Sequence, residues 1–210
     1  MATDDLPVKT FKSAKAWEIW LAKQHAKSDG LWLQLAKKDS GIASATYAEA
    51  VEVALCYGWI DGLKRPFDGT YWIQRFTPRR PRSKWSANNK AKVEALIEAG
   101  RMQPAGLREV EAARVDGRWE ASYPSSATME VPEDFSAALA KRPKAHAAFG
   151  TLSRTNRYAF LFRVHDAKRP ETRARRITQF VEMITRGETP YPQRESQGES
   201  EDLMAIRGRG

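Results

Sequence analysis

Basic and aromatic residues are interleaved in one stretch of this sequence. Between Lys64 and Lys92 there are nine basic residues and a single acid, Asp68. Guanidinium groups bind phosphate or carboxylate through paired hydrogen bonds, and aromatic faces stack on planar rings. The basic and aromatic residues between positions 71 and 85 are Tyr71, Trp72, Arg75, Phe76, Arg79, Arg80, Arg82, Lys84 and Trp85. The pattern predicts a basic, Trp-lined pocket for an anionic or aromatic small molecule.

The wall of this pocket would combine guanidinium groups with indole rings. We assign it to Trp59, Arg75, Arg79, Arg80 and Trp85. Ser86 is a candidate cap for the next helix, whose free N-terminal amides would also favour an anion. The alternative is an exposed β-ribbon whose arginines pair with acids of neighbouring helices, with Trp72 and Trp85 in the core.

A second basic segment supplies one further candidate. Between Arg154 and Arg176 there are eight basic residues and two acids. On the helix predicted to begin at Pro170, Arg173 precedes Ile177 by four residues and so falls on the apolar face. A charge that faces a core must reach solvent, pair or bind something. We expect Arg173 to pair with an acid of the N-terminal domain or, alternatively, to contact a ligand at a domain interface.

Asp61 is the candidate for acid–base chemistry. It lies between Ile60 and Gly62, just after a predicted helix and just before the basic stretch. A partly buried carboxylate there could pair with Arg79 or Arg80, or act as the general base of a small hydrolase or isomerase. The structural alternative is an aspartate that braces the turn before Gly62.

Other chemistry finds little support in the residues. Cys56 falls in a predicted helix, where a lone cysteine packs as a small apolar residue. The chain's histidines show no metal-ligand spacing with it, and the sequence contains no glycine-rich phosphate loop. We expect no metal and no cofactor, and the residues alone identify no reaction.

The charge of the whole chain points to anionic partners. The net charge is +9 and the pI is about 9.7, a balance that also allows a nucleic-acid partner. A single cysteine permits no internal disulfide. Met1 to Lys12 lacks the apolar run of a signal peptide, and no window has the length and apolarity of a membrane span. We therefore expect a cytoplasmic location.

Periodicity predicts an α+β fold with two domains. N-terminal helices pack on a small, mostly antiparallel sheet over residues 1–122, and residues 123–132 form a linker rich in proline and serine. An all-helical domain follows over 133–188, and 189–210 is expected to be a disordered tail. Asp68-Gly69 predicts a hairpin between strands 63–67 and 71–76, and Pro66 places the first of these at a sheet edge.

Helical spacing identifies the apolar faces. Thr46 and Glu49 form a predicted capping box that opens a helix. The first helix carries Trp17, Trp20 and Leu21 on one face. In the C-terminal domain, the first predicted apolar face consists of Tyr158, Leu161, Phe162 and His165, and the next consists of Ile177, Phe180, Val181 and Ile184.

Three runs of residues together carry a family resemblance. They are Gly58-Trp59-Ile60-Asp61-Gly62, then Phe76-Thr77-Pro78-Arg79-Arg80 with Ser83-Lys84-Trp85-Ser86 and Asn89, and last Ala167-Lys168-Arg169-Pro170-Glu171-Thr172-Arg173 with Arg176-Ile177. Over about residues 10 to 188 the chain resembles the YdeI/OmpD-associated proteins, also labelled bacteriocin-protection. The resemblance implies that the helical domain is the one from which the family takes its name. It also implies a role in tolerance of bacteriocins or cationic antimicrobial peptides, and it implies no catalytic residue.

The leading hypothesis is a non-enzymatic protein of stress or antimicrobial resistance that binds an anionic or aromatic small ligand between the two domains, with Arg173 as the second wall of the pocket. A basic protein is not suited to bind cationic peptides directly, so any protection would be indirect. The first alternative is a nucleic-acid-associated protein, whose affinity would fall steeply with salt. The second is a hydrolase or isomerase that uses Asp61.

Overall fold

Four strands and four helices form the N-terminal unit of the computed structural model, which describes residues 5–192 of the chain. The strands are β1 (Val8–Thr10), β2 (Leu31–Ala36), β3 (Trp59–Pro66) and β4 (Tyr71–Pro78). The helices are α1 (Ala14–Gln24), α2 (Tyr47–Cys56), α3 (Ala87–Glu98) and α4 (Pro104–Val115). The chain divides into two units between Ser125 and Ser126.

The sheet has the strand order β1-β2-β4-β3, with β1 parallel to β2 and the other pairs antiparallel. The Asp68-Gly69 hairpin is confirmed, because Asp68 accepts the backbone amides of Thr70 and Tyr71 at 2.7 Å each. Strand β3 lies at the edge, as Pro66 predicted. It begins four residues earlier than predicted, because Trp59 and Ile60 already pair with Pro78 and Thr77.

Helices α1 and α2 cover one face of the sheet. The predicted capping box of Thr46 and Glu49 is present, and it fixes where α2 begins. Trp17 of α1 is fully buried, packs on Phe76 of β4 at 5.7 Å between ring centroids, and donates its indole N–H to the backbone oxygen of Ala50. The indole therefore ties α1, α2 and the sheet into one core.

Four helices form the C-terminal unit within the described residues: α5 (Glu133–Ala140), α6 (Pro143–Gly150), α7 (Arg154–Asp166) and α8 (Pro170–Thr185). The predicted apolar face of α8 is confirmed, and it packs in a core with Phe135, Leu139, Ala145, Phe149, Phe160, Leu161 and Val164. The α+β class, with an all-helical C-terminal unit, is therefore confirmed.

The predicted apolar face of α7 is only partly correct, since Leu161 alone of its four residues lies in the core. Tyr158, Phe162 and His165 are only half-buried, whereas Phe160 and Val164 face the core. Asn156 is also fully buried, since its side-chain amide exchanges two hydrogen bonds of 3.0 Å with the backbone of Tyr191. A polar residue can occupy a core position when its hydrogen bonds are satisfied, and apolar spacing alone does not reveal it.

The predicted tail lies partly beyond the described residues. Of residues 189–210, those from 193 onward lie outside the described range, whereas Tyr191 is hydrogen-bonded to Asn156. Among residues 5–192, no helix combines the length and apolarity needed to cross a membrane.

Candidate anion-binding site

A cleft of about 760 Å³ opens in the N-terminal unit where β4 ends. It is lined by Asp5, Leu6, Pro7, Ser28, Asp29, Gly30, Arg75, Thr77, Pro78, Arg79, Arg80 and Pro81. The loop before β2 reaches this point through Gly30, whose φ of +138° favours glycine. A Cβ at Gly30 would lie 2.7 Å from the backbone oxygen of Phe76, so only glycine permits this approach to β4.

Three of the predicted site residues line this cleft. Arg75 and Thr77 lie on one face of β4, because alternate residues of a strand share a face. Arg79 and Arg80 follow directly after the strand ends at Pro78. The strand therefore brings three guanidinium groups to one place, and none of the three forms an ion pair with a described residue.

Arg79 is buried without a carboxylate partner. Its side chain is 6% exposed. The guanidinium carbon lies 3.7 Å from the ring centroid of Trp85, and Nη2 donates to the backbone oxygen of Lys84 at 2.7 Å. Burial lowers the pKa of the Arg79 guanidinium to about 10, and the charge of Glu109 is the main influence that opposes this shift. A cation held in this way is costly unless an anion joins it.

The buried donors without an acceptor are concentrated here. Among residues 5–192, the buried side-chain nitrogen or oxygen atoms that lack a hydrogen-bond partner are Nε of Arg75, Nε and Nη1 of Arg79, and Nε1 of Trp85. Native proteins satisfy most buried polar groups, so each exception requires an explanation. All four of these atoms are N–H donors, and three of them belong to Arg75 and Arg79, which line the cleft.

Arg75 owes its position to a glycine on the neighbouring strand. A Cβ at Gly62 would lie 2.9 Å from Nε of Arg75, so the guanidinium occupies the space that a side chain at position 62 would need. Strand β3 is irregular between Asp61 and Lys64, and Gln74 holds the bulge by donating to the backbone oxygen of Gly62 at 2.8 Å. The role of Gly62 is to provide space for Arg75.

The two tryptophans of the predicted wall lie elsewhere. Trp59 belongs to the core, where its indole lies 6.1 Å from that of Trp17 and donates to the backbone oxygen of His25. Trp85 supports Arg79 from behind, and its ring also meets Trp119 edge-on at 4.9 Å. No aromatic residue of the described chain is among those that line the cleft. The cleft is therefore basic without being Trp-lined.

The helix N-terminus after Ser86 contributes less than predicted. Ser86 caps α3, as expected, by accepting the amide of Asn89 at 3.2 Å. The amide of Ala87 donates to the backbone oxygen of Tyr123 at 2.8 Å. Two amides of the first turn of α3 therefore already have acceptors and are not free to bind an anion.

Asp61 is half-buried and is not among the residues that line the cleft. Its carboxylate accepts the hydroxyl of Tyr47 at 2.7 Å instead of pairing with Arg79 or Arg80. Burial, followed by this hydrogen bond, raises the pKa of the Tyr47 hydroxyl. Asp61 therefore joins β3 to the start of α2, and this contact provides no acid–base partner at the cleft.

Arg173 pairs within its own unit. Its Nε and Nη2 bind the two oxygens of Asp134 at 2.6 and 2.8 Å, and its Nη1 donates to the backbone oxygen of Val164. The pairing with an acid of the N-terminal domain was wrong, because Asp134 lies on α5 beside α8 and presents both oxygens to the guanidinium. The same hydrogen bonds raise the pKa of Arg173 and lower that of Asp134.

Sequence reasoning missed the residues of the cleft that come from other stretches. Asp29 and Gly30 precede β2, and Asp5 and Leu6 precede β1. Pairing of Leu31 with Phe76 brings the first of these segments to the end of β4. A glycine directly before a predicted strand was the available signal, and it indicates close backbone approach.

Two family models match the chain. Residues 9–109 match a domain of unknown function (DUF8412), and residues 128–187 match the family described as bacteriocin-protection, YdeI or OmpD-associated. No curated protein and no solved structure matches. Arg75, Arg79 and Arg80 lie in the first matched segment, and Arg173 lies in the second.

Proposed function

Since residues 128–187 belong to the bacteriocin-protection, YdeI or OmpD-associated family, we propose that the chain is a non-enzymatic protein of stress or antimicrobial resistance whose N-terminal unit binds a small anion. The site is the cleft beside Arg79. An anion is favoured over an aromatic ligand, because no aromatic side chain of residues 5–192 is among those that line the cleft, and the indole of Trp85 is already covered by Arg79 and Trp119.

The burial of Arg79 is the observation that carries the proposal. A structural arginine is expected to use its N–H groups on acceptors, as the half-buried Arg173 does with Asp134 and Val164. Arg79 uses only Nη2, on Lys84. A phosphate or carboxylate in the cleft would compensate the buried charge.

Neighbouring groups complete the proposed anion site. Arg80 is exposed beside the cleft and carries a second full charge. Arg75 adds a third, and Thr77 adds a hydroxyl between Arg75 and Arg79 along the chain. Multiple guanidinium groups around one small space favour a ligand with several acceptor oxygens, such as a phosphate ester or a dicarboxylate.

We expect pyrophosphate, glucose 6-phosphate and citrate to raise the melting temperature of the protein at millimolar concentration. A ligand at ten times its Kd adds about 1.4 kcal/mol to the free energy of unfolding, which corresponds to a few degrees in a protein of this size. Arg80→Gln should lower the affinity about tenfold, because it removes a charge-assisted hydrogen bond without disturbing the core. Differential scanning fluorimetry measures both effects.

Arg101→Gln is the matched control, since Arg101 is an exposed arginine of the same unit that pairs with Glu52 outside the cleft. It should bind the three anions as the wild type does. Equal losses in Arg80→Gln and Arg101→Gln would mean that the anions respond only to net charge. If small anions fail and a single-stranded oligonucleotide binds with steep salt dependence, the nucleic-acid alternative replaces the proposal.

A further inference from the structure

The acids of the cleft indicate more about its ligand. Asp29 and Asp5 line the same space as the three arginines. We propose that the ligand is zwitterionic, with an anionic group bound by Arg79 and Arg80 and an ammonium group bound by Asp29 and Asp5. This inference rests on the anion site proposed above and specifies the chemical class of ligand that the site takes.

The arginines and the acids that line the cleft come from different segments of the chain. The arginines come from β4 and the residues directly after it. Asp29 comes from the loop before β2, and its neighbour Gly30 packs against Thr77, where a Cβ would lie 2.7 Å from the threonine methyl. Asp5 comes from the segment before β1, where Leu6 reaches the same glycine at 3.2 Å. The acids are therefore held beside the arginines by the packing of their neighbours in the chain.

These acids do not neutralise the arginines. Within residues 5–192, neither Asp29 nor Asp5 forms an ion pair, and neither do Arg75, Arg79 and Arg80. Elsewhere in the chain close partners do pair, as Arg173 does with Asp134 at 2.6 Å. Because these acids and arginines share the cleft without pairing, the acids can bind a cationic group of a ligand while the arginines bind its anionic group.

The buried guanidinium of Arg79 indicates where the anionic group of the ligand binds. Arg79 is more than nine-tenths buried, lines the cleft and keeps Nε and Nη1 without an acceptor among the described residues. It fixes the anionic end of the ligand in the interior of the cleft. The exposed carboxylates of Asp29 and Asp5 then bind the cationic end toward solvent. Acids at the opening of a site for simple anions would only weaken binding.

A matched pair of probes separates a zwitterion site from a simple anion site. Alanyl-glutamate carries one ammonium and two carboxylates, and N-acetyl-alanyl-glutamate keeps both carboxylates but lacks the ammonium. A purely basic cleft prefers the acetylated form, because that form is the more negative. A cleft with arginines and free acids prefers the form with the ammonium. The order of the two affinities therefore reveals the type of site.

Isothermal titration calorimetry should show that alanyl-glutamate binds about three- to fivefold more tightly than its acetylated form, the range expected for an exposed ion pair. Asp29→Asn should abolish or reverse this preference and strengthen the binding of pyrophosphate. Asp39→Asn, an exposed acid outside the cleft, should leave both probes unchanged.

Equal binding of the two peptides, tighter binding of the acetylated one, or no binding of either overturns the zwitterion inference. Pyrophosphate binding that persists in any of those cases leaves the anion site standing. Loss of pyrophosphate binding together with both peptides removes the anion site as well, so the two failures are distinguishable.

Discussion

Arg79→Met is expected to make the ligand-free protein more stable by about 1–2 kcal/mol while it removes the affinity for anions. The guanidinium is buried with two N–H groups that lack acceptors, and methionine can fill the space over Trp85 without a charge. The lost contacts are one hydrogen bond to Lys84 and the stacking on Trp85. Urea denaturation measures the stability, and calorimetry with pyrophosphate measures the binding.

Arg173→Met is the matched control for this result. Arg173 is only half-buried, and it binds Asp134 and the backbone of Val164. Its loss should lower the free energy of unfolding by about 1 kcal/mol, because the half-exposed ion pair with Asp134 and the hydrogen bond to Val164 are lost. If Arg79→Met destabilises the protein as much as Arg173→Met does, Arg79 holds the fold together and the reason for proposing a ligand disappears.

Gly106→Ala is expected to destabilise the N-terminal unit by about 3 kcal/mol or more, a large effect for a single added methyl group. A Cβ at Gly106 would lie 2.4 Å from the backbone oxygen of Cys56 and 2.7 Å from that of Leu55. These are backbone atoms at the end of α2, so they cannot move aside as a flexible side chain could. Helix α4 would have to shift away from α2.

Gly150→Ala is the contrasting variant. Gly150 also lies in a helix, and no atom of the described residues that could obstruct an added Cβ lies within 4 Å of it. It should be neutral or stabilising by about 0.5–1 kcal/mol, the usual advantage of alanine over glycine in a helix. Urea titration followed by circular dichroism compares the two variants. Similar midpoints for Gly106→Ala and the wild type would contradict the close packing of α4 on α2.

Local signals predicted most of the fold. The Asp68-Gly69 hairpin, the capping box of Thr46 and Glu49 and the apolar face of α8 each depend on residues close together in the chain. Propensity and periodicity act over such distances. The face of α7 was only partly predicted, and its buried Asn156 was missed because its hydrogen-bond partner, Tyr191, is 35 residues away. Long-range hydrogen bonds leave no mark on apolar spacing.

The candidate site was only partly predictable. Arg75, Arg79 and Arg80 stand close together in the sequence, so their shared location followed from a single strand. Trp59 and Trp85 were both assigned to the wall, yet both are buried in the core, as the alternative expected for Trp85, whose ring lies behind Arg79. Residue type does not determine which face of a strand or loop is covered. The face that is covered depends on which distant elements pack on that strand or loop.

The acids of the cleft could not be predicted from composition. Asp29 and Asp5 line the same cleft as Arg79 only because β2 pairs with β4 and β1 pairs with β2. Strand order is a property of the whole sheet, and it follows weakly from any one segment. The sequence therefore predicted a basic site, and the structure shows that acids also line the cleft.

The binding of an anion by Arg79 can be observed directly. Crystals soaked in sodium tungstate, a compact oxyanion that scatters anomalously, should show a strong peak in the cleft, within hydrogen-bonding distance of Arg79 and Arg80. The same peak should be missing in Arg79→Met. Tungstate found only at exposed lysines and arginines outside the cleft, with the guanidinium of Arg79 untouched, would contradict the proposed function.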